Sequence, residues 1–113
     1  MAAAVVVLCT APARTDAPGK QAAAELARTL VAERLCACVN LLPGVTSVFR
    51  WEGRIDTADE VLLIAKTTTD RVGELRARIA GLHPYQVPEV IELAVNGGLP
   101  AFLQWLGAAV ARE

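Results

Sequence analysis

The 113-residue sequence predicts one α+β domain, residues 1–113, with its elements in the order β-α-β-β-α-β-α. Three observations carry that expectation. Short apolar runs, Val5-Val6-Val7-Leu8 and Val61-Leu62-Leu63-Ile64-Ala65, read as strands covered on both faces. Ala23, Leu26, Ala27, Leu30, Val31 and Leu35 recur at helical spacing, as do Val72, Leu75 and Ile79. No low-complexity linker divides the chain, whose length suits one core rather than two.

The first strand is expected from Ala3 to Thr10, followed by a loop from Ala11 to Gly19 that holds two prolines and Asp16. An amphipathic helix over 18–36 comes next, with Lys20, Glu25, Arg28 and Glu33 mostly on its polar side. Val45, Ser47, Phe49 and Trp51 then alternate with Thr46, Val48, Arg50 and Glu52, the period of a strand. Asp56-Thr57-Ala58-Asp59 is the better turn by composition, leaving Gly53 as an in-strand glycine or bulge near the tip of a long hairpin. The return strand Val61–Ala65 is apolar on both faces, so it is central in its sheet or paired into an interface. Thr69 or Asp70 caps a second helix that ends near Gly81. Beyond the His83–Pro88 loop, Val90–Val95 is a strand and Asn96-Gly97-Gly98 a turn. Pro100 opens a last helix that buries Phe102, Trp105, Leu106 and Val110. Two βαβ halves in this order form the split arrangement of ferredoxin-like domains, with helices on one face of the sheet. The other face must be covered by something.

Composition narrows the function classes. Hydrophobic content of 54% against 20% charge is rich for a small soluble monomer and predicts an oligomer. A net charge of −1, with only Lys20 and Lys66 as lysines and dispersed arginines, supplies no patch for several phosphates, so nucleic acid is not an expected partner. The apolar start Met1–Leu8 is too short for a membrane span and lacks a positive n-region, so no membrane is expected. Three cysteines, an odd number, argue against a disulfide framework and for a reduced, cytoplasmic setting.

Few residues are left to carry chemistry. His83-Pro84-Tyr85-Gln86-Val87-Pro88-Glu89 holds the only histidine and the only tyrosine in a proline-stiffened loop. A neutral imidazole there suits a metal or a proton relay, or it holds the loop by backbone hydrogen bonds. Lys66, the only charge in the run beginning at Val61, calls for an anionic neighbour; Glu89 is the candidate, and Tyr85, Glu89 and Lys66 together would line a polar cleft. Cys36 and Cys38 would point to one face if the chain is extended, but no second pair completes a four-ligand site, so a packing role is favoured. Trp51 and Trp105 read as packing anchors. No serine-centred elbow, triad or glycine-rich phosphate loop is present, so no enzymatic activity is expected.

Two blocks resemble a known family. Ala37-Cys38-Val39-Asn40-Leu41-Leu42-Pro43-Gly44-Val45-Thr46-Ser47-Val48-Phe49-Arg50-Trp51-Glu52-Gly53 is the first. The second runs from Glu60-Val61-Leu62-Leu63-Ile64-Ala65-Lys66-Thr67-Thr68 and resumes at Leu82-His83-Pro84-Tyr85-Gln86-Val87-Pro88-Glu89. Together they closely resemble the CutA family of divalent-cation tolerance proteins. The resemblance implies a ferredoxin-like subunit in a stable homotrimer, long hairpins extending the sheets across subunit boundaries. It also implies association with copper or other divalent cations, with Cys9 and His83 as metal ligands. Thiolate and imidazole suit copper among first-row divalent ions. Some relatives carry a histidine pair before Pro-Tyr, and here the first of the pair is Leu82. The alternative is a trimeric sensor or scaffold resembling nitrogen-signalling proteins, which would hold an organic anion in intersubunit clefts near Lys66.

Overall fold

The computed structural model describes residues 2–112. Seven elements follow in the expected order: β1 (Ala4–Ala11), α1 (Ala23–Ala32), β2 (Cys38–Trp51), β3 (Arg54–Thr68), α2 (Val72–Leu82), β4 (Val90–Ala94) and α3 (Pro100–Ala109). The four strands make one antiparallel sheet in the order β2-β3-β1-β4, the ferredoxin-like arrangement. β1 and β3 are central, which is why their sequences are apolar on both faces.

Alternation sorts the sheet into two sides. Val5, Val7, Cys9, Ala11, Val61, Leu63 and Ala65 pack with Leu26, Leu30, Leu75 and Ile79 in the main core beneath α1 and α2. Val6, Leu8, Leu62 and Ile64 alternate with them and fall on the opposite face, where their cross-strand partners are Leu93, Ile91 and Leu42. The expectation of helices on one face only is corrected here. α3 sets Leu106 and Val110 against Ala4 and Ala37, in a small second cluster on that opposite face. Phe102 and Trp105, expected in the core, are 43% and 48% exposed, because α3 meets the sheet through the stripe of Leu106 and Val110.

The hairpin departs from its expected turn. Trp51 pairs with Arg54, so the loop is the two residues Glu52-Gly53, both with positive φ (49° and 77°). This is the type I′ geometry whose twist suits a two-residue hairpin. Asp56–Asp59, the composition-based turn, lies inside β3 opposite Phe49 to Thr46. Residues 54–60 of β3 pair with β2 alone, because β1 meets β3 only from Val61 onward. The hairpin arm therefore projects as a two-stranded ribbon with Val48 and Ile55 about two-thirds exposed.

Helix ends also differ from expectation. α1 is shorter than 18–36 because residues 12–22 form the entry loop and the chain turns sharply after Ala32. Leu35 N–H donates to Leu30 O and Arg34 N–H to Val31 O, a Schellman closure with Arg34, not glycine, in the left-handed position (φ 60°). The buried Arg71 guanidinium holds that residue in place, donating to Arg34 O from both Nε (3.3 Å) and Nη2 (3.1 Å). α2 begins after Arg71, with no side-chain cap from Thr69 or Asp70, and runs through Gly81 to Leu82.

Candidate functional site

β1 ends in the core at Cys9, Thr10 and Ala11, and the loop after α2 returns to the same place. His83 terminates α2, its N–H still donating to Ile79 O, and its backbone then becomes extended (φ −70°, ψ 137°). That change of direction folds the ring under the sheet. His83 is fully buried, not exposed in a loop as its sequence context suggested.

Both ring nitrogens are engaged. Nδ1 accepts the Tyr85 N–H at 3.1 Å, and Nε2 lies 2.8 Å from Thr10 O. An acceptor at Nδ1 requires the proton on Nε2, so Nε2–H donates to Thr10 O and the ring is neutral. Burial pushes the His83 pKa down, and the bond to Thr10 and the charge of Glu60 offset this in part. Cys9, 2% exposed, directs its Sγ toward the same Thr10 oxygen at 3.7 Å. Burial first, then the carboxylates of Glu89 and Glu60, push its thiol up to about 12. It is a protonated thiol at neutral pH.

Tyr85 lies against His83 with ring centroids 4.7 Å apart and planes tilted by 60°. Its phenol is pushed up to about 12 by burial and by the nearby Glu60 carboxylate. Glu60 was not picked out from sequence, yet it is only 6% exposed and its charge reaches Cys9, His83 and Tyr85. The signal was present: a carboxylate directly abuts a strand that is apolar on both faces. A bulge sits opposite, where Pro43 and Gly44 (φ 78°) of β2 face the single Val61 of β3. Such bulges re-aim neighbouring side chains and are common beside functional sites.

Other expected site residues lie elsewhere. Lys66 does not meet Glu89: its Nζ donates to Asn40 Oδ1, on the sheet face away from α1 and α2. Glu89 is exposed at the start of β4, near enough to Cys9 to raise its pKa. Cys36 and Cys38 do not form a clamp. The chain bends at Ala37, placing Cys36 in the main core, while Cys38 pairs with Lys66 on the opposite face. Burial pushes the Cys36 thiol to about 12 as well.

Cys9 and His83 do come together, but as folded they do not fit a metal ion. His83 has no free lone pair, Cys9 keeps its proton, and no group of three His, Cys, Asp or Glu side chains is placed to hold an ion among the described residues. Two surface depressions, of about 490 and 810 Å³, lie away from this cluster. One is between α1 and α2 at Glu33, Arg71 and Arg78; the other is between α3 and the start of β1.

Comparison with known proteins gives a concordant result. Residues 5–109 match the family of the CutA1 divalent ion tolerance protein. The divalent-cation tolerance protein CutA of Thermus thermophilus is 45% identical over 89 residues, 79% of this chain and 86% of that protein. Among solved structures, CutA from Xylella fastidiosa superposes with a TM-score of 0.85 at 39% identity, covering 96% of this chain and 98% of the other. The protein described as the periplasmic divalent cation tolerance protein CutA of Archaeoglobus fulgidus gives 0.84 at 31% identity, covering 96% and 99%. A PII-like protein CutA from Nostoc sp. PCC 7120, in apo form, gives 0.82 at 31% identity, covering 95% and 97%.

Proposed function

Since the chain belongs to the family of CutA1 divalent ion tolerance proteins, we propose that it acts in divalent-cation tolerance as a homotrimer that binds rather than transforms its ligand. The observation that carries the assembly is the uncovered apolar surface. Leu42, Ile91 and Leu93 are about half exposed on the sheet face away from α1 and α2, and the hairpin arm has no partner beyond β2. A two-stranded ribbon is marginal alone, and identical chains would extend it and cover the apolar face.

Copper is the cation that thiol and imidazole donors favour. Cys9 and His83, which share one end of β1, are the pair through which it would bind. As folded they withhold both lone pairs, so a bound ion would need a rearranged Tyr85 loop or donors from a neighbouring chain. Binding in place of catalysis agrees with His83, whose nitrogens are both committed to the backbone. A reduced, cytoplasmic location suits three unpaired cysteines, although the Archaeoglobus relative is described as periplasmic. The test is a copper titration by calorimetry on the intact chain, Cys9→Ser and His83→Ala. Weaker binding in both variants supports the pair; unchanged binding in both removes it.

A second reading rests on Lys66. Its ammonium stands on the apolar face with an amide oxygen in place of a carboxylate as its partner, so it remains a cation to which an organic anion is complementary. The Nostoc relative is described as PII-like. A thermal shift with small carboxylates and none with copper favours this reading.

A further inference from the structure

Lys66 and Asn40 stand together on the open sheet face, and the bond between them fixes which way the amide is turned. An ammonium only donates, so it takes Asn40 Oδ1 and leaves the Nδ2 hydrogens facing away from it. Lys66 keeps further hydrogens without a described partner, beside an amide that is itself exposed. One hydrogen from each residue supplies the two donors that the two oxygens of a single carboxylate take. The strand register sets this pair among apolar side chains. Across the sheet Lys66 is followed by Val6 and Leu93, and Asn40 by Ile64, Leu8 and Ile91. Neither row holds a second cation, so a polyanion would meet one positive charge only. A carboxylate on an apolar body meets a counter-charge and a matching surface.

On one protomer this face is open. Covered by an identical chain, it would bury an ammonium partnered only by an amide oxygen, which is costly unless an anion is enclosed with it. A side-chain carboxylate from the second copy would bring its own backbone amides onto the apolar rows, where they need partners. A free carboxylate brings none. We propose that Lys66 and Asn40 form a binding site for a small monocarboxylate with an apolar body, completed when a second copy closes over the sheet face. This rests on the second reading above and narrows its anion to one class.

Calorimetry with hexanoate, acetate and inorganic phosphate tests it on the full chain, Lys66→Met and Asn40→Asp, with the assembled mass followed by sedimentation. Lys66→Met replaces the charge with an apolar filler, a change that buried sites commonly tolerate. Asn40→Asp gives the ammonium a carboxylate of its own and repels another. The parent is expected to bind hexanoate as an assembly, more tightly than acetate or phosphate. Both variants are expected to keep that assembly and bind hexanoate at least about tenfold more weakly, the order for losing a charge-assisted hydrogen bond. Phosphate bound as tightly as hexanoate, and lost in Lys66→Met, overturns the carboxylate while the anion reading stands. Acetate bound as tightly as hexanoate overturns the apolar body. Hexanoate bound equally by the parent and both variants removes Lys66 and Asn40 from the site. Hexanoate held by single chains overturns the role of the second copy. No binding of any of the three by the parent overturns this inference and the anion reading together; loss of assembly in Lys66→Met would then make Lys66 the partner of a side chain from a second copy.

Discussion

Cys9 and His83 approach the same atom, the carbonyl oxygen of Thr10, at 3.7 and 2.8 Å. The two side chains that the family resemblance implies as metal ligands are thus neighbours, but each is turned toward the backbone. A hydrogen-bonded neutral histidine and a protonated buried thiol leave Glu60, Glu89 and Lys20 as the charges that act on this end of the sheet. That contrast leads to expectations that can be checked without a metal.

The Tyr85 phenol is expected to ionise near pH 12, because burial and the Glu60 carboxylate both oppose phenolate formation. Tyr85 is the only tyrosine, so the alkaline rise in ultraviolet absorbance reads it alone. Glu60→Gln should bring the midpoint back toward the ordinary value of 10.0. An unchanged midpoint in that variant would separate Glu60 from Tyr85.

Acid stability should show the His83 lock. Its folded pKa is lowered, so the folded chain prefers the neutral ring. That stabilisation is complete above the unfolded value of 6.5 and is lost as pH falls through the lowered folded value. The shifted carboxylates Glu33, Asp70 and Glu74 also have lowered folded pKa values, but theirs is lost only below their ordinary values of 4.5, 3.8 and 4.5. Urea midpoints should therefore fall between pH 6.5 and 4.5 in the parent chain and stay level in His83→Asn.

Thiol chemistry should be restricted. Cys9 and Cys36 are buried with thiols near pKa 12, and only Cys38 is partly exposed. A disulfide reagent at about pH 8 should label no more than one of the three thiols in the folded chain and all three in denaturant. Rapid labelling of two or more would contradict the packing of β1 and Ala37.

Arg34 stores backbone strain at a position suited to glycine. A left-handed non-glycine residue costs roughly 1–2 kcal/mol, part of which glycine returns through its greater unfolded entropy, so Arg34→Gly should gain about 0.5 kcal/mol. Arg71→Ala should lose about 2 kcal/mol, because it strips Arg34 O of its donors. Urea unfolding at one fixed chain concentration checks both signs, since an oligomer's midpoint moves with concentration.

Much of the fold was legible because β1, β3 and α1 have one dominant periodicity each. The turn was misplaced because two acids around Thr57-Ala58 look more turn-like than Glu52-Gly53, although glycine at the second left-handed position was the decisive cue. Phe102 and Trp105 were placed inside because hydrophobicity gives no indication of which stripe of a terminal helix meets the sheet. The site was half legible. His83, Tyr85 and Cys9 were found by rarity and position, whereas Glu60 and the loss of the Lys66–Glu89 pair depend on strand register and a bulge. Those are tertiary facts that local pattern does not encode.

The central claim is that this protomer is incomplete alone, its hairpin arm and apolar sheet face being finished by identical chains. Sedimentation equilibrium of the purified chain at micromolar concentration in neutral buffer tests it most directly. The expected result is a single species of three chain masses that resists dilution. A folded species of one chain mass across that range would contradict the account.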